Sequence, residues 1–278
     1  MNNFIKRTLS GILYVAVLVG CIAFGQNTFC LLFALITALA LSEFDEIIEA
    51  HGLAAPNKTV NVISGVYLFL SVFLYITRNY SEIIFMPYLF SLLFIITSEL
   101  YQRQNHRSLA NWAYALAGQI YIALPFTLLN CIAYTPEKGY SCIIPLCIFV
   151  FIWLNDTGAY LCGSLLHNLI PYKLAPHISP NKTWIGSIGG FVIVTAAGIL
   201  LHYLTGTATT WLWMGLALVI GVFATYGDLV ESQIKREVGI KDSGKFLPGH
   251  GGVLDRFDSA LFAIPAAIIY IYCTHFPL

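Results

Sequence analysis

The segment from Ser232 to Asp258 holds most of the side chains in this sequence that could do chemistry. Its cations include Lys235, Arg236, Lys241 and Lys245, and its carboxylates include Asp242, Asp255 and Asp258. Carboxylate oxygens are the hard ligands that Mg²⁺ prefers, and neighbouring cations attract phosphate oxygens. The pattern therefore indicates a site for Mg²⁺ and a substrate that carries phosphates.

Glycines surround the only histidine of this segment. Gly249, Gly251 and Gly252 flank His250, and none of them has a side chain to hinder a close approach of the backbone to a ligand. Backbone N–H groups in such a run can point at anionic oxygens. We expect Gly251 and Gly252 to bind substrate through their backbone.

The elements that position this segment are membrane helices. Of the 278 residues, 58% are hydrophobic and 10% are charged, which is too apolar for an average soluble domain. Apolar runs lie at about 9–24, 28–44, 60–77, 83–97, 110–133, 142–165, 184–205, 211–229 and 257–275. They are long enough, or nearly so, to cross the bilayer as helices, and they lack the alternation of a transmembrane barrel. We predict an all-α polytopic integral membrane protein with about nine transmembrane helices.

The distribution of cations predicts the orientation. With the N-terminus inside and nine crossings, 12 of the 14 Lys and Arg residues lie on the inner side, the exceptions being Arg78 and Lys138. The positive-inside rule then places the segment from Ser232 to Asp258 in the cytoplasm. No basic arm with interleaved aromatics is present, which argues against nucleic acid as a partner.

Two further acids extend the predicted site. Asp156 follows an apolar stretch, and an acid inside the membrane needs a metal, a cation or a water-filled cavity. Asp228 ends the eighth run, with Ser232 and Lys235 at i+4 and i+7 on the same helix face. Together with Asp255 and Asp258 these acids form a metal and phosphate site. Interfacial charges with snorkelling lysines are the structural alternative.

A second polar segment precedes the seventh apolar run. Ser179, Lys182 and Thr183 lie where a helix N-terminus is expected, and helix N-termini attract anions. These residues are candidates for phosphate binding. Capping of the helix by Ser179 or Thr183, with Pro180 in its first turn, is the structural alternative, and both can hold at once.

Acids also cluster at the inner end of the second run. Glu43, Asp45, Glu46 and Glu49 have helical spacing, with only His51 nearby among histidines and cations. We interpret this cluster as a solvated helix end rather than a metal site.

The motifs together resemble the phosphatidate cytidylyltransferase family, also called CDP-diacylglycerol synthases. The residues that match its signature are Ser232, Lys235, Arg236, Lys241, Asp242, Pro248, His250, Gly251, Gly252, Asp255, Arg256 and Asp258. The stretches 155–160 and 179–184, with Gly186, are similar to the family as well. The chain departs from it at Ile185, where Glu is common, and at Asn181 and Ser164, where a basic residue is usual.

The resemblance implies transfer of CMP from CTP to phosphatidate, giving CDP-diacylglycerol and pyrophosphate in phospholipid biosynthesis. It implies Mg²⁺, leaving a second cation open, and a homodimer in the bacterial inner membrane with the active site facing the cytoplasm. It divides the chain into about five N-terminal helices in residues 1–135 and a catalytic half in residues 136–278, whose signature loop covers 230–256.

The resemblance also assigns roles to residues. Asp228 and Asp255 are the first choice as metal ligands, with Asp156, Asp242 and Asp258 as ligands or supports. The phosphates are bound by Lys182, Lys235, Arg236, Lys241 and Ser232. Arg256 braces neighbouring carboxylates. His250 either positions a phosphate or protonates the departing pyrophosphate.

Two alternative functions stay open. A CTP-dependent polyprenol or lipid kinase would transfer the γ-phosphate instead. A membrane transporter would place its acids near mid-depth and often contains inverted repeats, whereas here the acids lie towards one side and no repeat is evident.

Overall fold

The computed structural model describes residues 3–101, 108–135, 138–166, 168, 172–244 and 251–277. They form mostly helices, in two compact units. The first unit comprises Met1–Cys142 and Lys241–Arg256, and the second comprises Ile143–Ile240 and Phe257–Leu278.

Within its described residues, the first unit contains six α-helices, two short 3₁₀ helices (Glu82–Phe85 and Glu99–Tyr101) and one hairpin. The helices are α1 (Asn3–Phe24), α2 (Gln26–Ala50), α3 (Lys58–Arg78), α4 (Met86–Ser98), α5 (Ser108–Gly118) and α6 (Leu124–Ala133). A π-helical turn, Gln119–Ala123, joins α5 to α6, and the hairpin pairs β1 (Tyr134–Thr135) with β2 (Gly139–Tyr140). Gly25, at φ 138°, separates α1 from α2, because few other residues adopt that conformation.

The second unit contains three complete helices, most of a fourth and a second hairpin. The helices are α7 (Ile143–Leu166), α8 (Trp184–Thr205), α9 (Thr210–Glu237) and α10 (Leu254–Cys273), whose first three residues belong to the first unit. Strands β3 (Lys173–Ala175) and β4 (Ser179–Thr183) pair antiparallel between α7 and α8. Helix α8 ends at Gly206, which is left-handed.

Close helix packing in the second unit brings its polar side chains near one another. A Cβ atom at Gly190 on α8 would lie 2.7 Å from the carbonyl oxygen of Asn155 on α7. A Cβ atom at Gly227 on α9 would lie 2.5 Å from the carbonyl oxygen of Asp258 on α10. Only glycine permits these approaches, so the backbones next to Asp156 and Asp228 are held close to their neighbours.

The helical membrane fold expected from the sequence is confirmed, and each of the nine apolar runs lies on a helix. Within the described residues, six helices are long and apolar enough to cross a membrane: Lys58–Arg78, the continuous run Ser108–Ala133, Ile143–Leu166, Trp184–Thr205, Thr210–Glu237 and Leu254–Cys273. The count of nine crossings stays a prediction. The two short hairpins were not expected from the sequence.

Candidate active site

A cavity of about 540 Å³ opens in the second unit, within the size range of small-molecule sites. It is lined by α7, β4, α8 and α9 through Asn155, Asp156, Ala159, Tyr160, Gly163, Ser164, Asn181, Lys182, Thr183, Gly186, Ser187, Thr225 and Asp228. Two carboxylates, one ammonium group and several hydroxyl and amide groups therefore share one cavity wall. This is the chemistry expected of a site for a polar, anionic ligand.

Asp228 is held on both of its carboxylate oxygens. The ammonium group of Lys182 forms an ion pair with Oδ2, and Ser232 Oγ donates a hydrogen bond to Oδ1 at 3.2 Å. The helical spacing of Asp228 and Ser232 predicts that they share a face, and the structure confirms it. Their predicted roles as metal ligand and phosphate binder stay predictions.

Asp156 and Asp258 lie within electrostatic range of Asp228. Asp156 is exposed at the cavity, and its carboxylate interacts with those of Asp228 and Asp258 and with the ammonium group of Lys182. Asp258 Oδ1 accepts a hydrogen bond from the backbone N–H of Ser259. The second unit thus brings together three of the five acids predicted as metal ligands.

The residues at the cavity fit Mg²⁺. Among the residues that the structure describes, no three His, Cys, Asp or Glu side chains form a group that could hold a metal by themselves. However, Mg²⁺ is commonly held by one or two carboxylates together with substrate phosphates and water. Asp156 and Asp228 supply such a pair, and the Lys182 ammonium already provides a positive charge beside Asp228.

The two predicted cations at the end of α9 have protein partners. Lys235 forms an ion pair at 2.5 Å with Glu231, one helical turn earlier, and the side chain of Glu231 is buried. Arg236 is exposed, and its Nε donates to the carbonyl oxygen of Ile178 at 3.3 Å. Glu231 is not among the residues predicted from the sequence, although its i,i+4 spacing to Lys235 is a signal for such a pair.

The polar segment before α8 forms a strand, whereas the sequence predicted the start of a helix. Thr183 caps α8, as expected: its Oγ1 accepts from the backbone N–H of Gly186 at 3.2 Å. Ser179 and Pro180 are not in a helical turn, because they lie in strand β4. Of the two capping candidates, Thr183 is therefore the cap and Ser179 is not, and the expectation that Pro180 lies in the first turn of the helix is wrong. Lys182 reaches the cavity from the same strand.

In the first unit, the prediction of a solvated acidic cluster on α2 is wrong for two of its members. Glu46 and Glu49 are exposed, but Glu43 is 8% exposed and Asp45 is 1% exposed. Glu43 Oε2 accepts from the backbone N–H of Val253 at 2.7 Å, and Oε1 accepts from Ser243 Oγ. These contacts leave no local signal in the sequence, because the partners lie 200 and 210 residues away.

Asp255 binds the backbone of the segment in which it lies. Its Oδ2 accepts from the backbone N–H of Ser243 at 2.9 Å and from that of Gly252 at 2.8 Å. The backbone N–H of Asp255 in turn donates to Ser243 Oγ at 3.3 Å. Asp255 therefore stabilises the backbone of this segment. Its predicted role as a metal ligand stays a prediction.

The remaining predicted residues are placed as follows. Lys241 and Asp242 are exposed, and Gly251 is left-handed at φ 79°. Among the described residues, Nε of Arg256 is buried and has no hydrogen-bond partner. His250, Lys245 and Pro248 lie outside the described residues.

Two of the three departures from the family pattern lie at the cavity. Asn181 and Ser164 both line it, whereas Ile185 does not. Asn155 and Thr225, joined by a hydrogen bond of 3.1 Å, also line it. Thr225 was missed because a lone threonine in an apolar helix carries no signal of function.

A second buried acid in the first unit belongs to a polar chain. Both carboxylate oxygens of Asp45 accept from Asn61 Nδ2, at 2.9 and 3.0 Å, and Gln119 Nε2 donates to Asn61 Oδ1 at 2.6 Å. Desolvation raises the pKa of Asp45 to about 6, against the lowering effects of the Asn61 hydrogen bond and the charge of Lys58.

Comparison with known proteins supports the sequence resemblance. Residues 5–274 match the Cytidylyltransferase family. A phosphatidate cytidylyltransferase of Staphylococcus aureus (strain COL) is 33% identical over 260 residues, which is 93% of this chain and 95% of the relative. The protein of the same name from Staphylococcus epidermidis (strain ATCC 35984) is 32% identical over 269 residues, 96% of this chain and 99% of the relative.

Proposed function

Because this chain belongs to the cytidylyltransferase family, we propose that it transfers CMP from CTP to phosphatidate, giving CDP-diacylglycerol and pyrophosphate. The observation that carries this proposal is the cavity in which the Lys182–Asp228 ion pair lies beside Asp156. Such a cavity suits a ligand rich in phosphate, since it offers a cation for phosphate oxygens and carboxylates for a divalent ion.

The reaction needs no nucleophile from the protein. A phosphate oxygen of phosphatidate attacks the α-phosphorus of CTP, a new P–O bond forms, and the bond from the α-phosphorus to the α,β-bridging oxygen breaks. The electron pair of that bond leaves on pyrophosphate. The protein therefore acts by aligning two anionic substrates and by stabilising the charge on both.

Lys182 is the proposed phosphate ligand of the cavity. Its ammonium group pairs with Asp228 and lines the cavity, where it can exchange this partner for a phosphate oxygen. Asn181 and Thr183 line the cavity next to it in strand β4 and offer an amide and a hydroxyl group. Lys235 and Arg236 on α9 are proposed to bind the remaining phosphate oxygens.

Asp156 and Asp228 are proposed to hold Mg²⁺, with Asp258 supporting them electrostatically. The ion, when bound, would neutralise charge on the phosphates of CTP. Ser232 would keep the Asp228 carboxylate oriented. Asp242 and Asp255 stay proposed as further ligands or supports, and His250 as a phosphate-positioning group.

The membrane setting suits both substrates. Phosphatidate keeps its acyl chains in the bilayer, and CTP is soluble, so a site at the cytoplasmic interface of a bacterial membrane serves both. We propose this orientation, and a homodimeric state, on the basis of cation distribution and family resemblance.

The position of a radioactive label tests the function. Purified protein in detergent is incubated with phosphatidate, Mg²⁺ and CTP labelled at either the α- or the γ-phosphate, and the lipid is extracted. We expect α-label in the lipid and γ-label released as pyrophosphate, both lost in Asp228→Asn. γ-Label transferred to an added lipid alcohol would instead identify a kinase, and absence of any transfer by the wild type would refute the proposal.

A further inference from the structure

Glu43 on α2 contacts two separate parts of the signature segment, which we define as Ser232 to Asp258. Its Oε1 accepts from Ser243 Oγ, which precedes the glycine-rich part, and its Oε2 accepts from Val253 N–H, which follows it. Residues 245–250 between these parts lie outside the described residues. One carboxylate thus binds two residues of the signature segment that are ten positions apart in sequence, Ser243 and Val253.

The fit around this carboxylate is close. A Cβ atom at Gly252 would lie 1.5 Å from Glu43 Oε1, and a Cβ atom at Gly244 would lie 2.8 Å from the same oxygen. Neither position accepts a larger residue unless Glu43 moves. Two of the five glycines in the signature segment are therefore explained by contact with Glu43 rather than with a substrate.

Asp255 completes the arrangement from the other side. Ser243 donates its hydroxyl to Glu43, accepts from the backbone N–H of Asp255 at 3.3 Å, and donates its own N–H to Asp255 Oδ2 at 2.9 Å. Gly252 N–H donates to the same Oδ2 at 2.8 Å. Two acids, one on α2 and one at the start of α10, thus hold the same two backbone ends.

Burial makes these contacts strong. Glu43 is 8% exposed, so loss of its partners would leave a charge with little access to water. Hydrogen bonds to an ionised acceptor are roughly twice as strong as neutral ones. The contacts therefore favour one arrangement of this backbone over the many that a glycine-rich segment can adopt.

We propose that Glu43 is a positioning residue: by holding Ser243 and Val253 it fixes the backbone that Asp255 contacts, and so keeps the Asp255 carboxylate in one orientation. The inference rests on the proposed function for its catalytic consequence. Its structural part, the restraint of this backbone by Glu43, stands on the contacts alone.

The test compares Glu43→Ala and Glu43→Gln with Glu46→Gln, a matched control on the exposed face of the same helix. Glu43→Ala removes both carboxylate oxygens, which accept from Ser243 and Val253. Glutamine keeps an oxygen for Val253 N–H and can donate to Ser243 Oγ, so it should restore part of the function. For the folded fraction of each variant, we expect kcat to fall roughly 100-fold in Glu43→Ala and about tenfold in Glu43→Gln, while KM for CTP changes less than threefold.

Amide hydrogen exchange gives a readout independent of turnover. In Glu43→Ala, the amides of Ser243, Gly252 and Val253 should exchange at least tenfold faster than in the wild type, while amides in α8 stay unchanged and the control variant matches the wild type. Wild-type kcat or wild-type exchange in Glu43→Ala would overturn the inference. If the wild-type protein transferred no α-label, the proposed function would fail. The hydrogen-exchange result would still show whether Glu43 restrains the backbone of Ser243, Gly252 and Val253.

Discussion

Ser232 Oγ lies 3.2 Å from Oδ1 of Asp228, one turn earlier on α9, while the ammonium group of Lys182 contacts Oδ2 of the same carboxylate. Each oxygen of Asp228 therefore has a partner within the protein. Because a carboxylate with both oxygens held keeps one orientation, Asp228 is prepared to face the cavity at little further cost in side-chain entropy.

Replacing Ser232 by Ala should lower kcat/KM about tenfold. The change removes a hydrogen bond to a charged acceptor, worth roughly 1.5–3 kcal/mol, and frees Asp228 to rotate. Initial rates of α-label transfer measure the effect. Gln233→Ala is the control, since Gln233 is the next residue but is exposed and bonds to Glu237. Equal rates in the two variants would contradict this role of Ser232.

Replacing Lys182 by Met should reduce kcat/KM for CTP by roughly 100-fold or more. Methionine keeps most of the side-chain volume but removes the only cation among the described residues that line the cavity beside Asp228 and Asp156, so the cavity becomes more anionic and repels phosphates. Lys182→Arg keeps the charge and should lose less. The rates are measured over a range of CTP concentrations, and the exposed Lys173, in the neighbouring strand β3, provides the control variant Lys173→Met. A Lys182→Met enzyme with wild-type kcat/KM would exclude phosphate binding by this lysine.

Removal of divalent ions by EDTA should abolish transfer of the α-label. Asp156→Asn should raise the Mg²⁺ concentration that gives the half-maximal rate at least tenfold. The substitution removes one of two carboxylates at the cavity with little change in volume. Activity at a series of Mg²⁺ concentrations measures the shift. Glu49→Gln, which removes an exposed acid of α2, should leave the curve unchanged. An unchanged curve in Asp156→Asn would remove this residue from the ligand set.

The sequence predicted the parts of the site that depend on local spacing or on the family signature. Asp228 and Ser232 share a face because they are four residues apart on a helix, and Asp156 was found because an acid in an apolar run is unusual. The apolar runs also predicted the helices, because hydropathy is a property of the local segment.

Contacts between distant residues could not be predicted in this way. The local sequence favours a solvated Glu43 because it offers no nearby histidine or cation except His51, whereas the actual partners, Ser243 and Val253, are distant in sequence. Ser179 and Pro180 were assigned to a helix start because both are common there, but pairing of β4 with β3 determines their conformation instead. Tertiary contacts outweighed the local preference in both cases.

Removing the buried partner of Lys235 should destabilise the protein. Glu231→Ala leaves the ammonium group of Lys235, which is 15% exposed, without its buried counter-ion. Loss of one member of a buried pair costs about 3–5 kcal/mol, and each kcal/mol lowers the melting temperature of a chain of this size by about 2–4 °C, so we expect a fall of roughly 6–20 °C. Thermal unfolding in detergent measures this. The control is Glu237→Ala, an exposed acid on the same helix, and an equal fall in both variants would contradict the prediction.

Asp45 should make stability depend on pH between about 4 and 6. Burial raises the pKa of Asp45 to about 6. The hydrogen bond from Asn61 and the charge of Lys58 lower this pKa, and the charge of Glu49 raises it. An Asp in the unfolded chain titrates near 4. Because the folded pKa is the higher one, the folded state binds the proton more tightly. The stabilisation from protonation is complete below pH 4 and is lost as pH rises through 6.

The measurement is the apparent melting temperature of the wild type and of Asp45→Asn at pH values from 4.5 to 7.5. Asparagine resembles the neutral carboxyl group and cannot ionise, so the variant should lose the part of the pH dependence due to residue 45. Its melting temperature should exceed that of the wild type near pH 7 and approach it near pH 4.5. Glu46→Gln, which alters an exposed acid one residue away, should keep the wild-type profile. Parallel profiles for the wild type and Asp45→Asn would show that Asp45 ionises as freely in the folded protein as in the unfolded chain.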